Sequence, residues 1–273
     1  MGRLAQQLAS IFRGRADKIA VGDGSAFHPE DCHDHAQRIE AEHLGGQRCL
    51  GFYLLDEESS CWVSCADFDN KPDRPDHAWR DKAERVYFLL ANLGLSPLVE
   101  VSQSGEAAHV WLAFREAVPA WVARAFWRAV AQRLDLAIPE VYPRQDVLSK
   151  GGLGNLVRYP LWNRSHFADV EAEWAPLDPS ESLANTARTD AGSLKLYGWE
   201  LGGGELRPEA TIVETSNGAL PARVHEKLKR QHSLLARRWF GDTFGMNDPS
   251  KSALVQAIAC ELVRAYVPTA EIE

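Results

Sequence analysis

The sequence predicts an α/β (α+β) sandwich built on a mixed sheet with flanking helices. Apolar periodicity switches between two and 3.6 residues in the order helix, then β-β-α-β-β-α-β, then a helical tail. Several neighbouring strands are joined by links too short for parallel crossovers, which need a dozen or more residues, so a doubly wound parallel sheet is excluded. The 273 residues are 45% apolar, enough for a sizeable core.

Residues 1–20 begin as an amphipathic helix, with Leu4, Leu8, Ile11 and Phe12 on one side, and run into the basic turn Arg13-Gly14-Arg15. Residues 22–33, with Gly22, Gly24 and Pro29, read as loop. Residues 34–44 read as a second helix, stopped by Gly45-Gly46. Cys49–Leu55 and Cys61–Phe68 are strand-like runs around polar Asp56–Ser60, which predicts a hairpin. Trp79, Ala83, Val86, Leu90 and Leu93 recur at helical spacing over 77–93, and Gly94 stops the helix. Leu98–Ser102 is a strand. So is His109–Phe114, with Val110, Leu112 and Phe114 on one face and His109, Trp111 and Ala113 on the other. Pro119 stands where the next helix begins, and that helix runs to about Leu134 with Val122, Phe126, Val130 and Leu134 inward. Arg124 and Arg128, four apart, share another face of it. Glu140–Leu161 is mixed strand and loop. Residues 162–217 are polar, with short β pieces at Leu194–Trp199 and Thr211–Glu214. Two helices, 221–238 and 250–266, follow.

No stretch approaches 18 uninterrupted apolar residues, and the first residues lack the apolar run of a signal peptide, so a cytoplasmic protein without a membrane span is expected. Five cysteines show no disulfide framework, which fits a reducing compartment. On a strand, Cys61 and Cys65 stand roughly 13 Å apart and read as small core residues. His28, Cys32, His33 and His35 could form part of a zinc site, but their spacing fits no standard pattern and a loop with incidental histidines is the better reading. Trp62, Trp79 and Trp111 read as core; Trp162 reads as core or as a base-stacking residue. The net charge is −8, yet residues 115–164 hold eight Lys/Arg against four acids. That local basic excess suits an anionic ligand.

Three constellations carry chemistry. Cys61–Phe68 leads into Asp67-Phe68-Asp69, whose acids share a face of an extended chain and repel each other unless a hard cation such as Mg²⁺ or Mn²⁺ joins them. A surface loop with two aspartates is the plain alternative. Ser102-Gln103-Ser104-Gly105 is a small-residue turn suited to phosphate oxygens, followed by His109. The plain alternative is a β-turn capped by a histidine. Tyr142-Pro143-Arg144-Gln145-Asp146 precedes a glycine-rich stretch, Lys150 to Arg158, in which Asp146 offers a third carboxylate and Lys150 and Arg158 offer phosphate contacts. A surface hairpin with glycine turns is the alternative there.

In order and spacing, these motifs resemble the archaeo-eukaryotic primase superfamily, whose site is described by an hDhD pair, a turn-plus-His motif and a later hD acid. Asp67-Phe68-Asp69, His109 and Gln145-Asp146 match those three. The likeness is to primase-polymerases of conflict systems and those beside CRISPR adaptation genes. Their second motif reads S-x-S-G-x-G-x-H-V-W and their third F-P-x-Q-D, then G-x-G-N-L-[IV]-x-L-P-L. Ser102–Gly105, His109-Val110-Trp111, Tyr142–Asp146 and Gly152–Leu161 follow that pattern, and the resemblance covers roughly residues 10–165. Ala107 departs from it by removing a small hydroxyl or glycine before His109, and Tyr159 replaces an aliphatic residue.

The resemblance implies a catalytic domain over 1–217 with an RRM-like mixed or antiparallel sheet, an N-terminal α/β part of about 1–60, and a small helical module over 218–273 that reads as truncated at Glu273. It implies template-dependent nucleotidyl transfer from NTP or dNTP with two Mg²⁺ or Mn²⁺ ions on Asp67, Asp69 and Asp146, and with His109 as a further catalytic residue. Ser104, His109, Lys150, Arg158 and Asn155 are the expected nucleotide contacts; Arg124, Arg128, Arg144 and Arg230 are the expected nucleic-acid contacts. The expected partners are primer and template DNA and a helicase or CRISPR adaptation proteins, with a monomeric chain. A metal-dependent nuclease or phosphohydrolase, or an inactive nucleic-acid-binding module, are the competing readings.

Overall fold

The structure, a computed structural model, describes residues 2–70, 75–138 and 140–201. All of them lie in the first of the chain's two compact units, Met1–Pro208. The expected helices at 221–238 and 250–266, the β piece at Thr211–Glu214 and Arg230 lie outside the described residues.

The N-terminal helix α1 (Arg3–Ile11) buries Ala5, Leu8 and Ile11. The chain then forms a hairpin, β1 (Lys18–Gly22) and β2 (Phe27–Asp31), where the sequence reads as loop. Pro29 and the charged ends of β2 hide it, but an edge strand tolerates both because its outer side needs no ladder partner. A short helix α2 (His35–Arg38) runs into a π-helical turn (Ile39–His43), as residues 34–44 predict. Strand β3 (Cys49–Tyr53) pairs with β1 and with β8 (Leu156–Arg158), closing an antiparallel four-stranded sheet of order β2-β1-β3-β8.

Strand β4 (Ser60–Asp69) does not pair with β3, so the expected hairpin is corrected. Asp56 accepts from the backbone N–H groups of Glu58 and Ser60, and this turn carries the chain from one sheet to the other. The second sheet holds six strands in the order β10-β9-β5-β6-β4-β7: Ala175–Pro176, His166–Asp169, Leu98–Val101, Ala107–Pro119, β4, and Glu140–Tyr142. Every ladder in both sheets is antiparallel. Helix α3 (Trp79–Asn92) and helix α4 (Ala120–Leu134) take the positions their apolar spacing predicts. Helix α5 (Pro179–Asn185) is capped by Asp178. Leu194–Trp199, expected as strand, lies in helix α6 (Ala191–Leu201). Its alternating Leu194 and Leu196 mimic a strand, whereas Leu194, Tyr197 and Leu201 recur at helical spacing and reach the core beside α4.

The six-stranded sheet has two unlike faces. Ala66, Phe68, Ala108, Val110, Leu112 and Phe114 pack on α3, α4 and α6. Val63, Cys65, Trp111 and Ala113 pack on α1 and the four-stranded sheet. An aromatic cluster holds the second interface: Phe12 meets Trp111 edge-on at 5.0 Å, and Phe52 lies 4.9 Å from Tyr159. Each such pair contributes about 0.5–1.5 kcal/mol beyond buried area. Between Cys61 and Val63 the β4–β6 register shifts, and Cys61 faces the helices while Val63 faces the other sheet.

Candidate active site

Strand β4 ends in Asp67 and Asp69. Both belong to the alternation that puts Val63 and Cys65 toward the four-stranded sheet, so they share that face. Asp67 is buried and Asp69 half-buried. Directly opposite Asp67 on β6 is His109, and opposite it on β7 is Glu140. Opposite His109 on β5 is Glu100. Facing residues of an antiparallel ladder point to one side, so Glu140, Asp67, His109 and Glu100 form a row across four strands.

Within that row, His109 Nε2 lies 3.4 Å from Asp67 Oδ1, and His109 Nδ1 is 3.0 Å from Glu100 Oε2. Trp111 Nε1 also donates to Glu100 Oε2, at 3.2 Å. Burial works against charge on His109, but the carboxylates on either side more than offset it and push its pKa up to about 10. Burial likewise works to raise the Glu100 carboxyl, yet the hydrogen bond and charge of His109 hold it below its ordinary value. The imidazolium therefore neutralises part of a crowded acidic row. Glu140 Oε2 accepts from Tyr142 Oη at 2.9 Å and from Arg144 Nη2.

The turn after β5 completes this end of the sheet. Ser102 Oγ and Ser104 Oγ are 2.8 Å apart, Glu106 N donates to Ser104 Oγ, and Gly105 has φ +76°. A cleft of about 580 Å³ opens beside it, lined by Gln103, Ser104, Asn163 and Arg164. That volume is in the range of small-molecule sites.

The other expected residues are placed differently. Asp146 does not reach the aspartate pair. Strand β7 runs antiparallel to β4, so after Tyr142 the chain heads for the Ser60 end, where Leu148 N donates to Ser59 Oγ. There Asp146 accepts from Arg124 Nη1 at 2.9 Å and has Arg128 Nη2 at 4.0 Å. Two expected nucleic-acid contacts are thus its partners, and a third, Arg144, is engaged by Glu140. Lys150 is exposed on the turn beyond Asp146. Asn155 gives its carbonyl to Leu54 N, and its Oδ1 is buried with no hydrogen-bond partner among the described residues. Arg158, on β8 opposite Gly51, extends to the turn between β1 and β2. Tyr159 is buried, and its hydroxyl bonds His35 Nδ1 at 2.9 Å, which a leucine would leave unmet.

Glu100 and Glu140 were not singled out from the sequence. The signal for Glu100 is an acid in the apolar run Leu98-Val99-Glu100-Val101; for Glu140 it is a carboxylate opening a short strand. The oxygen donors of Asp67, Asp69 and Glu140 suit hard cations such as Mg²⁺ and Mn²⁺. Among the described residues, no three His, Cys, Asp or Glu side chains are grouped closely enough to hold a metal ion, and none is so grouped around Cys32. Nor is any helix among them long and apolar enough to cross a membrane.

A family model described as the archaeo-eukaryotic primase domain of the TOTE conflict system matches residues 7–195. Among solved structures, the chain is similar to the archaeo-eukaryotic primase domain of the cyanophage S-2L primase-polymerase. The identity is 14% over 67% of this chain and 97% of that one, with a TM-score of 0.36. No curated protein matches. The family match, and not the structural likeness, carries the assignment. It spans well over half of the sequence and contains every residue of the acidic row, so the chain belongs to the archaeo-eukaryotic primase domain family of the TOTE conflict system.

Proposed function

We propose that this chain is a template-dependent DNA primase-polymerase, transferring a nucleotide from an NTP or dNTP to a 3′-hydroxyl or to an initiating nucleotide. The observation that carries the reading is the row Glu140–Asp67–His109–Glu100 with Asp69 beside it, at the mouth of a phosphate-suited turn and inside the matched span. Asp67 and Asp69 would hold the divalent cations; Glu140, opposite Asp67 on β7, would join them as a third carboxylate only once the cations draw the three together. Such ions, when bound, activate the attacking hydroxyl and neutralise the leaving pyrophosphate.

The chain's own part is positioning and charge. Glu100 anchors His109 through Nδ1, which leaves Nε2 directed at the acidic end, where it donates to a phosphate oxygen of the incoming nucleotide. The Ser102–Gly105 turn holds the Ser104 hydroxyl ready for a second phosphate contact. Incubating the protein with a labelled primer-template, nucleotides and Mn²⁺ tests the reading. Primer extension supports it. Shortening of the primer would instead identify a nuclease, and a mobility shift without chemistry an inactive binding module. Repeating the assay without primer tests initiation.

A further inference from the structure

The turn joining β1 to β2 lies against the cleft just described. Asp23 Oδ1 ties this turn by accepting from Ser25 N at 2.8 Å, Ser25 Oγ at 2.7 Å and Ala26 N at 3.0 Å. Gly24 sits at its tip with φ +99°, a conformation that L side chains rarely adopt. The point where a Cβ of residue 24 would stand is 3.7 Å from Trp162 Nε1, 3.9 Å from Arg158 Nη1 and 3.9 Å from Gln103 Nε2. Three N–H donors from two segments, the Gln103 turn and the stretch from Arg158 to Trp162, thus converge on one small volume that glycine leaves open.

Their orientation is built. Asn163 Nδ2 donates to Gln103 Oε1 at 3.2 Å, which turns the Gln103 NH₂ toward the gap. The Trp162 ring is only 6% exposed and lies 5.2 Å from His43, yet no acceptor bonds its Nε1 among the described residues. The Nε1 atom itself is not closed off from solvent, so the N–H stands available to an incoming acceptor. All three groups donate and none accepts, so the matching ligand is rich in acceptors alone. Phosphate oxygens fit, whereas base edges, which carry donors as well, do not.

We propose that this gap receives a phosphate oxygen of the incoming nucleoside triphosphate, with Gln103 and Trp162 as its neutral donors and Gly24 as the residue that keeps it open. This rests on the primase-polymerase reading and adds a second wall to its nucleotide site. The four-stranded sheet supplies Arg158 and the Gly24 turn, while the acidic row stands on the six-stranded sheet. A methyl at residue 24 would occupy the volume in which the oxygen sits.

Calorimetric titration of the wild-type protein, Trp162→Phe, Gln103→Glu and Gly24→Ala with dATP and with inorganic tripolyphosphate tests this. Trp162→Phe keeps the ring and removes the donor; Gln103→Glu keeps the acceptor for Asn163 and replaces the donor with an anion. Trp162→Phe should weaken both ligands roughly tenfold, the equivalent of one hydrogen bond to a charged group, and Gln103→Glu by more. Gly24→Ala should weaken them too, while primer-template affinity in a mobility-shift assay stays within about twofold. Unchanged dATP and tripolyphosphate affinity in both Trp162→Phe and Gln103→Glu would overturn the site, whatever Gly24→Ala does to folding. If wild type extends primers but neither variant changes the nucleotide KM or affinity, the site fails and the polymerase reading stands. If wild type binds dATP with the expected losses but extends nothing, the site stands and the polymerase reading fails.

Discussion

The two ends of strand β4 treat charge in opposite ways. At the Ser60 end, the acids near the chain are answered by arginines: Asp146 by Arg124 and Arg128, and Asp17 and Glu57 by Arg15. Arg13 lies 3.4 Å over the Trp62 ring. At the Asp69 end, Asp67, Asp69, Glu100 and Glu140 are gathered by the strands; among the described residues His109 stands between Asp67 and Glu100, and Arg144 engages Glu140. Charges that are paired within the chain serve the fold. Carboxylates gathered on one face by strand register favour a cation beside them. The acidic end is therefore where ligand chemistry belongs, and the other end is where stability belongs.

The sharpest way to break this contrast is to remove charge from the acidic end. Asp69→Ala should lower primer extension by on the order of a thousandfold, the loss expected when a cation ligand is removed. Its thermal unfolding should stay close to wild type, because Asp69 is half-buried. An Asp69→Ala protein that still extends primers at a comparable rate would sink the assignment.

A matched pair of neutral substitutions compares the ends directly. Glu140→Gln should cost on the order of a hundredfold in extension rate. Asp146→Asn should leave the rate within about threefold, since its carboxylate is committed to Arg124. The opposite ranking would mean that Asp146 leaves its arginines to join Asp67 when substrate binds.

Acidification probes the wall behind the site. His43 accepts from Leu50 N at Nδ1 and donates from Nε2 to the Pro160 carbonyl, so the fold needs it neutral. Burial pulls its pKa down to about 4, below the ordinary 6.5. The folded state thus binds fewer protons than the unfolded chain between those values. This contribution to stability is complete above pH 6.5 and is lost as pH falls toward 4. Urea unfolding at pH 5 should show a loss on the order of 2 kcal/mol from this group relative to pH 7.5. A His43→Asn variant should lose less on the same shift, and equal losses would falsify the account.

The smallest effect belongs to the paired end. A double-mutant cycle on Arg124 and Asp146 should give a coupling of about 1 kcal/mol, with each single substitution lowering Tm by about 2–4 °C. A coupling near zero would show that the pair does not serve the fold.

Much of the acidic end was legible in the sequence because period-two alternation reports facing directly. Asp67 with Asp69, and His109 with Trp111, fall on the faces their alternation gives. Helices α3 and α4 were legible for the same reason at period 3.6. What alternation does not report is which strand lies alongside. The partnership of β4 with β6 and β7, and not with β3, depends on a polar turn at Asp56 whose path is set by tertiary packing. Glu100 and Glu140 acquire their meaning only from that pairing. Asp146 reads as a third ligand because Gln145-Asp146 matches the later hD motif of the resemblance. The antiparallel direction of β7 sends it the other way.

The register shift between Cys61 and Val63 bears on how this chain tolerates changes in length. Beyond it, from Val63 to Asp69, the ladder with β6 is continuous. One residue added or removed within that run would invert its parity and turn both aspartates toward α3 and α4, into a layer of Ala66, Phe68 and Val110. The irregularity at Trp62 already absorbs one such inversion. Insertions and deletions on its Ser60 side leave the phase of the acidic end untouched, whereas on its Asp69 side only even steps would keep the aspartates on their face.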